Sequence, residues 1–76
     1  MITIYSKKGC PFCENAIKIS EIRGVEHQVK KLDVDYTVEE MLALTGGNHR
    51  TFPLIIDEGI IVGGFDEYKQ HLVGSK

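Results

Sequence analysis

Apolar and polar residues fall in short blocks along the chain, and the period of the blocks changes several times. Ile2 to Tyr5 is β-branched and aromatic, which predicts a strand, and it gives way to the polar loop Ser6-Lys7-Lys8-Gly9. Pro11 stands where the first turn of a helix accepts proline. From Phe12 to Arg23 there is neither glycine nor proline. Cys13, Ala16, Ile17 and Ser20 share one face at helical spacing, Ile19 and Ile22 widen the stripe, and Gly24 occupies the position of a C-terminal cap. His27 to Val34 alternates loosely, with Val29, Leu32 and Val34 apolar among charges, and predicts a second strand.

Thr37-Val38-Glu39-Glu40 has the spacing of a capping box, with Thr37 as the cap and Glu40 reaching back. The helix it opens runs through Met41, Leu42 and Leu44 and stops at Gly46-Gly47. Pro53-Leu54-Ile55-Ile56 is a dense apolar run that reads as a central strand. Asp57-Glu58-Gly59 signals a turn, and Ile60 to Val62 reads as the returning strand of a hairpin. After Gly63-Gly64, Phe65, Tyr68 and Leu72 recur at helical spacing, with Asp66 and Glu67 in the first turn, where the helix dipole favours acids.

The order β-α-β-α-β-β-α belongs to the α/β class. A strand–helix–strand opening implies a right-handed parallel crossover, and the late hairpin adds antiparallel strands. The expectation is a four-stranded mixed sheet flanked by three helices. Its core is expected to rest on Ile4, Leu32, Leu54 to Ile56 and Ile61.

Composition narrows the classes without naming one. With 76 residues, 42% apolar, 26% charged and a net charge of −2, the chain has the make-up of one small soluble domain over residues 1–76. A domain of this size buries only ~60% of its unfolded surface, so the core is thin. The mildly acidic balance argues against nucleic acid as a partner, since a nucleic-acid domain of this size carries an excess of Lys and Arg. No stretch is long and apolar enough for a membrane span, and Met1 to Tyr5 lacks the basic start of a signal peptide. A cytoplasmic location and a monomer are the expected defaults.

Two cysteines, Cys10 and Cys13, carry the candidate chemistry. A bridge between them closes too small a loop to stabilise the fold by chain entropy, so pairing points to redox chemistry rather than stapling. Cys10 falls at a helix N-terminus, where free N–H groups and the positive dipole end favour a thiolate and lower its pKa below the ordinary ~8.5. Lys7 and Lys8 just upstream add positive potential. Cys13, one turn on, can reach back to Cys10 and is expected to be the more buried. Cys10 would attack a disulfide sulfur, and Cys13 would then resolve the mixed disulfide. A zinc site would need two more ligands, and His27, His49 and His71 are scattered, so no metal is expected. An iron–sulfur cluster bridged between two chains, two inert core cysteines, and dithiol redox chemistry remain the alternatives at this point, the last favoured by the strand–helix placement and Pro11.

Three segments together resemble the signatures of dithiol glutaredoxins: Tyr5-Ser6-Lys7-Lys8-Gly9-Cys10-Pro11-Phe12-Cys13, Thr51-Phe52-Pro53 and Gly63-Gly64-Phe65-Asp66. They occur in the family's order and spacing and span essentially the whole chain. The resemblance implies a thioredoxin-like fold, glutathione as reductant, and reduction of protein disulfides and protein–glutathione mixed disulfides by Cys10 and Cys13. It implies a cis bond before Pro53, with the Phe52 backbone pairing with the cysteinyl backbone of glutathione. The N–H groups of Phe65 and Asp66, following Gly64, would hold its γ-glutamyl carboxylate, and the Asp66 side chain its ammonium. Lys7 would meet the glycyl carboxylate, with Phe12, Arg50 and Thr51 also at the glutathione site. Two positions depart from the usual pattern: Phe12 replaces the common tyrosine, and Phe52 the usual valine. Ribonucleotide reductase is a frequent client in the family. A redoxin reset by thioredoxin reductase is the nearest rival reading, and an iron–sulfur carrier the rival from another class.

Overall fold

The computed structural model describes residues 1–47 and 52–74. The β-branched opening forms strand β1 (Ile2–Ser6), and Pro11 opens helix α1 (Pro11–Ile22). Strand β2 (His27–Lys31), helix α2 (Val38–Leu44), strands β3 (Leu54–Asp57) and β4 (Ile60–Gly63), and helix α3 (Phe65–Gly74) follow in the expected order. The sheet order is β2-β1-β3-β4, with β1 parallel to β2, and β3 antiparallel to both β1 and β4. The β1–α1–β2 crossover therefore puts the end of β1 and the start of α1, where the cysteines lie, at one edge of the sheet's central strand. Among the described residues no helix is long and apolar enough to cross a membrane.

The period-2 alternation of the central strands divides the core in two. Ile2, Ile4 and Ile55 face α1 and α3 and pack with Ala16 and Tyr68. Tyr5 and Leu54 face the other way and pack with Tyr36 and Met41 of the α2 layer. The shorter α2 is held at its start by the capping box: Glu40 N–H donates to Thr37 Oγ1 at 3.2 Å, and Thr37 N–H donates to Glu40 Oε1 at 2.8 Å.

Three expectations are corrected. The second strand ends at Lys31 rather than Val34, because the chain turns there: Asp35 Oδ2 accepts the Lys31 N–H, the Val34 N–H returns to the Lys31 carbonyl, and Asp33 takes a positive φ of 63°. Val34 is left 76% exposed, and Leu32 is only partly buried. Ile22 does not widen the buried stripe, since it lies about 200° round the helix from the buried Ser20, on the opposite face of α1, and is exposed. Ile61 is also exposed, because β4 is an edge strand and only its Val62 turns toward the helices.

Two buried tyrosines join layers through their hydroxyls. Tyr36 donates to the Ser6 carbonyl at 2.6 Å, fastening the loop after β2 to the end of β1. Tyr68 is hydrogen-bonded to Ser20, whose hydroxyl also donates to the Ala16 carbonyl at 2.9 Å, so α3 is tied to α1 inside the core. Burial, with the charges of Asp33 and an ionised Tyr5 adding in the same sense, pushes the Tyr36 phenol up to about 12 from its ordinary 10. A raised phenol pKa means the folded state holds the proton more tightly. Its contribution is complete below pH 10 and is lost as pH rises through 12. The urea midpoint of the wild type is therefore expected to fall more steeply between pH 10 and 12 than that of Tyr36→Phe. Parallel slopes for the two proteins would show that this phenol does not contribute.

Candidate active site: a cysteine pair between two helix ends

Cys10 is the N-cap of α1 with extended backbone, and its Sγ accepts the Cys13 N–H at 3.2 Å. Local sequence explains the placement: Pro11 supplies the fixed φ of the first helical position and has no N–H to orphan, and the cap's sulfur takes the N–H that would otherwise lack an acceptor. The two cysteines are joined as a disulfide with their Cα atoms 5.2 Å apart. Both are buried, Cys13 at 1% and Cys10 at 5% exposure, so Cys10 is the one nearer to solvent. Once the bond is reduced, the N–H aimed at Cys10 and the positive end of α1 stabilise a negative sulfur there. Cys13, buried in the first turn of the helix, has no such donor aimed at its sulfur among the described residues.

A second helix end lies beside this one. A cleft of about 240 Å³ is lined by Phe12 of α1, by Phe52, and by Gly64, Phe65, Asp66 and Glu67 at the start of α3. The Phe12 and Phe65 rings lie 6.0 Å apart, tilted by 37°, and Phe12 is 58% exposed. As the first residues of α3, Phe65 and Asp66 have N–H groups without intrahelical acceptors, which makes this end of the cleft an anion site. Lys69 pairs with Asp66 at 3.8 Å on the solvent side, an exposed contact that contributes little and yields readily to a ligand. Pro53, behind Phe52, is buried and its peptide bond is cis.

The fold thus brings together Phe12, Phe52, Gly64, Phe65 and Asp66 around one cleft next to Cys10 and Cys13. Lys7 contacts the cleft's wall from outside: its Nζ lies 5.2 Å from the centre of the Phe52 ring. That cation–π contact, available because Phe52 is aromatic, holds a long surface side chain over the wall. Arg50 and Thr51 lie outside the described residues. Glu67, expected as a first-turn acid, also acts as a cap. Its carboxylate accepts the Gly64 N–H at 2.9 Å, so it closes the start of α3 as Glu40 closes α2. The signal was present, since Gly64 and Glu67 have capping-box spacing. The same contact explains Gly63, whose φ is 124° and whose place a Cβ would share with Glu67 at 3.0 Å. Among the described residues no group of three or more His, Cys, Asp or Glu side chains could hold a metal ion.

The glutaredoxin family model matches residues 2–61. A probable glutaredoxin from Synechocystis is 33% identical over 66 residues, covering 87% of this chain and 75% of its own. Rat mitochondrial glutaredoxin-2 is 36% identical over 78 residues, covering 96% of this chain, which spans about half (48%) of the rat protein's length. Among solved structures, the buckwheat glutaredoxin–glutathione complex superposes with a TM-score of 0.79 at 27% identity, covering 96% of this chain and 69% of that one.

Proposed function

The chain belongs to the glutaredoxin family of thiol–disulfide oxidoreductases, and on that footing we propose that it takes its electrons from glutathione and passes them to protein disulfides and protein–glutathione mixed disulfides. The observation that carries this reading is the juxtaposition of two helix N-termini across one cleft: that of α1 carries the capped Cys10, and that of α3 presents Gly64, Phe65 and Asp66. A ligand with an anionic end and a thiol at the other fits such a pair. The similarity to a glutaredoxin solved with glutathione supports the choice of thiol.

In this reading the γ-glutamyl carboxylate of glutathione accepts from the Phe65 and Asp66 N–H groups, and the Asp66 carboxylate faces its ammonium. The Phe52 backbone pairs with the cysteinyl residue as one short added strand. Lys7 meets the glycyl carboxylate, and Arg50 and Thr51 belong to the same site. Phe12 and Phe65 wall the thiol end and exclude water.

The Cys10 thiolate attacks one sulfur of a client disulfide, forming a Cys10–client disulfide and releasing the other client sulfur as a thiolate. The Cys13 thiolate attacks the Cys10 sulfur, releasing the second client thiolate and leaving Cys10–Cys13 oxidised. One glutathione thiolate then opens that bond at Cys10, and a second removes the first as glutathione disulfide, restoring both enzyme thiols. A glutathionylated protein needs only the Cys10 half of this cycle.

A coupled assay tests the reductant. Turnover of a glutathionylated protein is expected with glutathione, glutathione reductase and NADPH, and little turnover is expected when thioredoxin reductase and NADPH replace them. Efficient reduction by thioredoxin reductase with none by glutathione would overturn the assignment.

A further inference from the structure

The cysteine pair has a second groove on its other side. It is larger, about 490 Å³, and is bordered by the Lys7–Gly9 loop, by Cys13 and Glu14 of α1, and by the end of β2 with the turn after it. Phe12 lines the glutathione cleft, whereas its neighbours Cys13 and Glu14 line this groove, so the start of α1 separates the two. The lining is mixed in a particular way. Ile17, Val29 and Leu32 supply apolar surface, and Val34 stands 76% exposed at the rim. Around them are Lys7, Lys8 and Lys31, against the single acid Glu14. The nearby acids Asp33 and Asp35 line an adjoining depression with Glu40, and Val34 borders both. A local excess of lysine beside the disulfide is notable in a chain whose net charge is −2.

We propose that this groove docks the protein client: a segment with an aliphatic side chain seated on Ile17, Leu32 and Val34, and acidic neighbours meeting Lys8 and Lys31. This assignment rests on the reading that protein disulfides are substrates. Charge complementarity and continuity with the disulfide select the occupant. A basic segment would be repelled, and a chain lying in the groove passes over Gly9 to present its own disulfide to Cys10. Glutathione and client then flank the start of α1, with Lys7 bordering both positions.

The test uses a disulfide-bridged peptide with leucine and two acids beside one cysteine, its twin with lysines in place of the acids, and the mixed disulfide of glutathione with mercaptoethanol. The wild type is expected to reduce the acidic peptide several-fold faster than the basic one, with the preference shrinking as salt rises from 0.1 M to 1 M and the screening length falls from ~10 Å to ~3 Å. Lys31→Glu is expected to lower kcat/KM on the acidic peptide about fivefold, the scale of one exposed ion pair, and Val34→Asp to do likewise through the lost apolar contact. Both side chains are exposed, and neither variant should change turnover of the small mixed disulfide.

Unchanged peptide rates in both variants, with the small disulfide still turned over, would overturn the docking site while leaving the proposed activity standing. Equal losses on peptide and small disulfide, or a raised KM for glutathione, would also overturn it, in favour of a general effect or of glutathione in this groove. Sedimentation showing a dimer that Lys31→Glu dissolves would overturn it in favour of a second copy. Failure of the wild type on the small disulfide with glutathione would remove the activity itself and this inference with it.

Discussion

Cys10→Ser is expected to abolish both reduction of protein disulfides and removal of glutathione from proteins, whereas Cys13→Ser is expected to abolish only the first. The asymmetry follows from the start of α1. Cys10 is the cap residue, its sulfur accepts the Cys13 N–H, and it is the less buried of the two. A sulfur in that position is stabilised as an anion and is reachable, and a serine there forms no disulfide. The expected loss is to background, about 10³-fold or more, because no step of the cycle proceeds without the nucleophile. In the proposed cycle Cys13 acts only to release a client held on Cys10. With a glutathionylated protein the first attack already frees the client thiol, and free glutathione resolves the rest. Cys13→Ser should therefore stay within about threefold of wild type on that substrate, since the nucleophile is retained. Steady-state assays of both variants on a glutathionylated protein and on a peptide disulfide check this. Retained activity in Cys10→Ser, with loss in Cys13→Ser, would reverse the roles.

Tyr68→Ala is expected to remove a large share of the fold's stability and to shift its urea midpoint sharply downward. Tyr68 is fully buried, and its ring packs in the cluster formed by Ile2, Ile4, Ala16 and Ile55. Truncating a buried aromatic costs about 3–5 kcal/mol. A chain of this length is stable by roughly 4–11 kcal/mol, at 0.05–0.15 kcal/mol per residue. The substitution also strands the Ser20 hydroxyl's contact, although Ser20 keeps its bond to the Ala16 carbonyl. Tyr68→Phe retains the ring and should cost only about 1 kcal/mol, the value of one hydrogen bond. Urea unfolding of the three proteins separates the two contributions. A Tyr68→Phe variant as unstable as Tyr68→Ala would mean that the hydroxyl link between α1 and α3, rather than the ring, dominates. Because α1 carries Cys10 and the start of α3 lines the cleft beside it, even the milder variant is a sensitive probe of how firmly the two helix ends are held in register.

Legibility in the sequence followed the range over which the information acts. The element order, the Thr37–Glu40 capping box, the turn at Glu58-Gly59 and the position of Cys10 at a helix start all depend on residues within a few positions of one another. Periodicity and cap chemistry specify such features locally. The same holds for the roles of Pro11 and Gly63-Gly64. Where the reading went astray, the deciding contact lay elsewhere. Ile61 alternates as a strand residue does, yet it stands exposed on an edge strand, and Ile22 lies on the face of α1 opposite the buried Ser20. Val34 continues an alternating pattern that Asp33 and Asp35 had already turned away from the sheet.

What the sequence by itself determined, then, is the set of parts: a cysteine pair on a helix cap, a single proline leading an apolar central strand, and a glycine pair before the last helix. The tertiary structure decided how those parts meet. It set the starts of α1 and α3 around one cleft, laid Lys7 over Phe52, joined Ser20 to Tyr68 across 48 positions of chain, and left a lysine-rimmed groove on the far side of Cys13. A residue's period says which face it lies on but carries no record of the partner that face will find, and that partner is chosen only when the strands pair and the helices pack on the sheet.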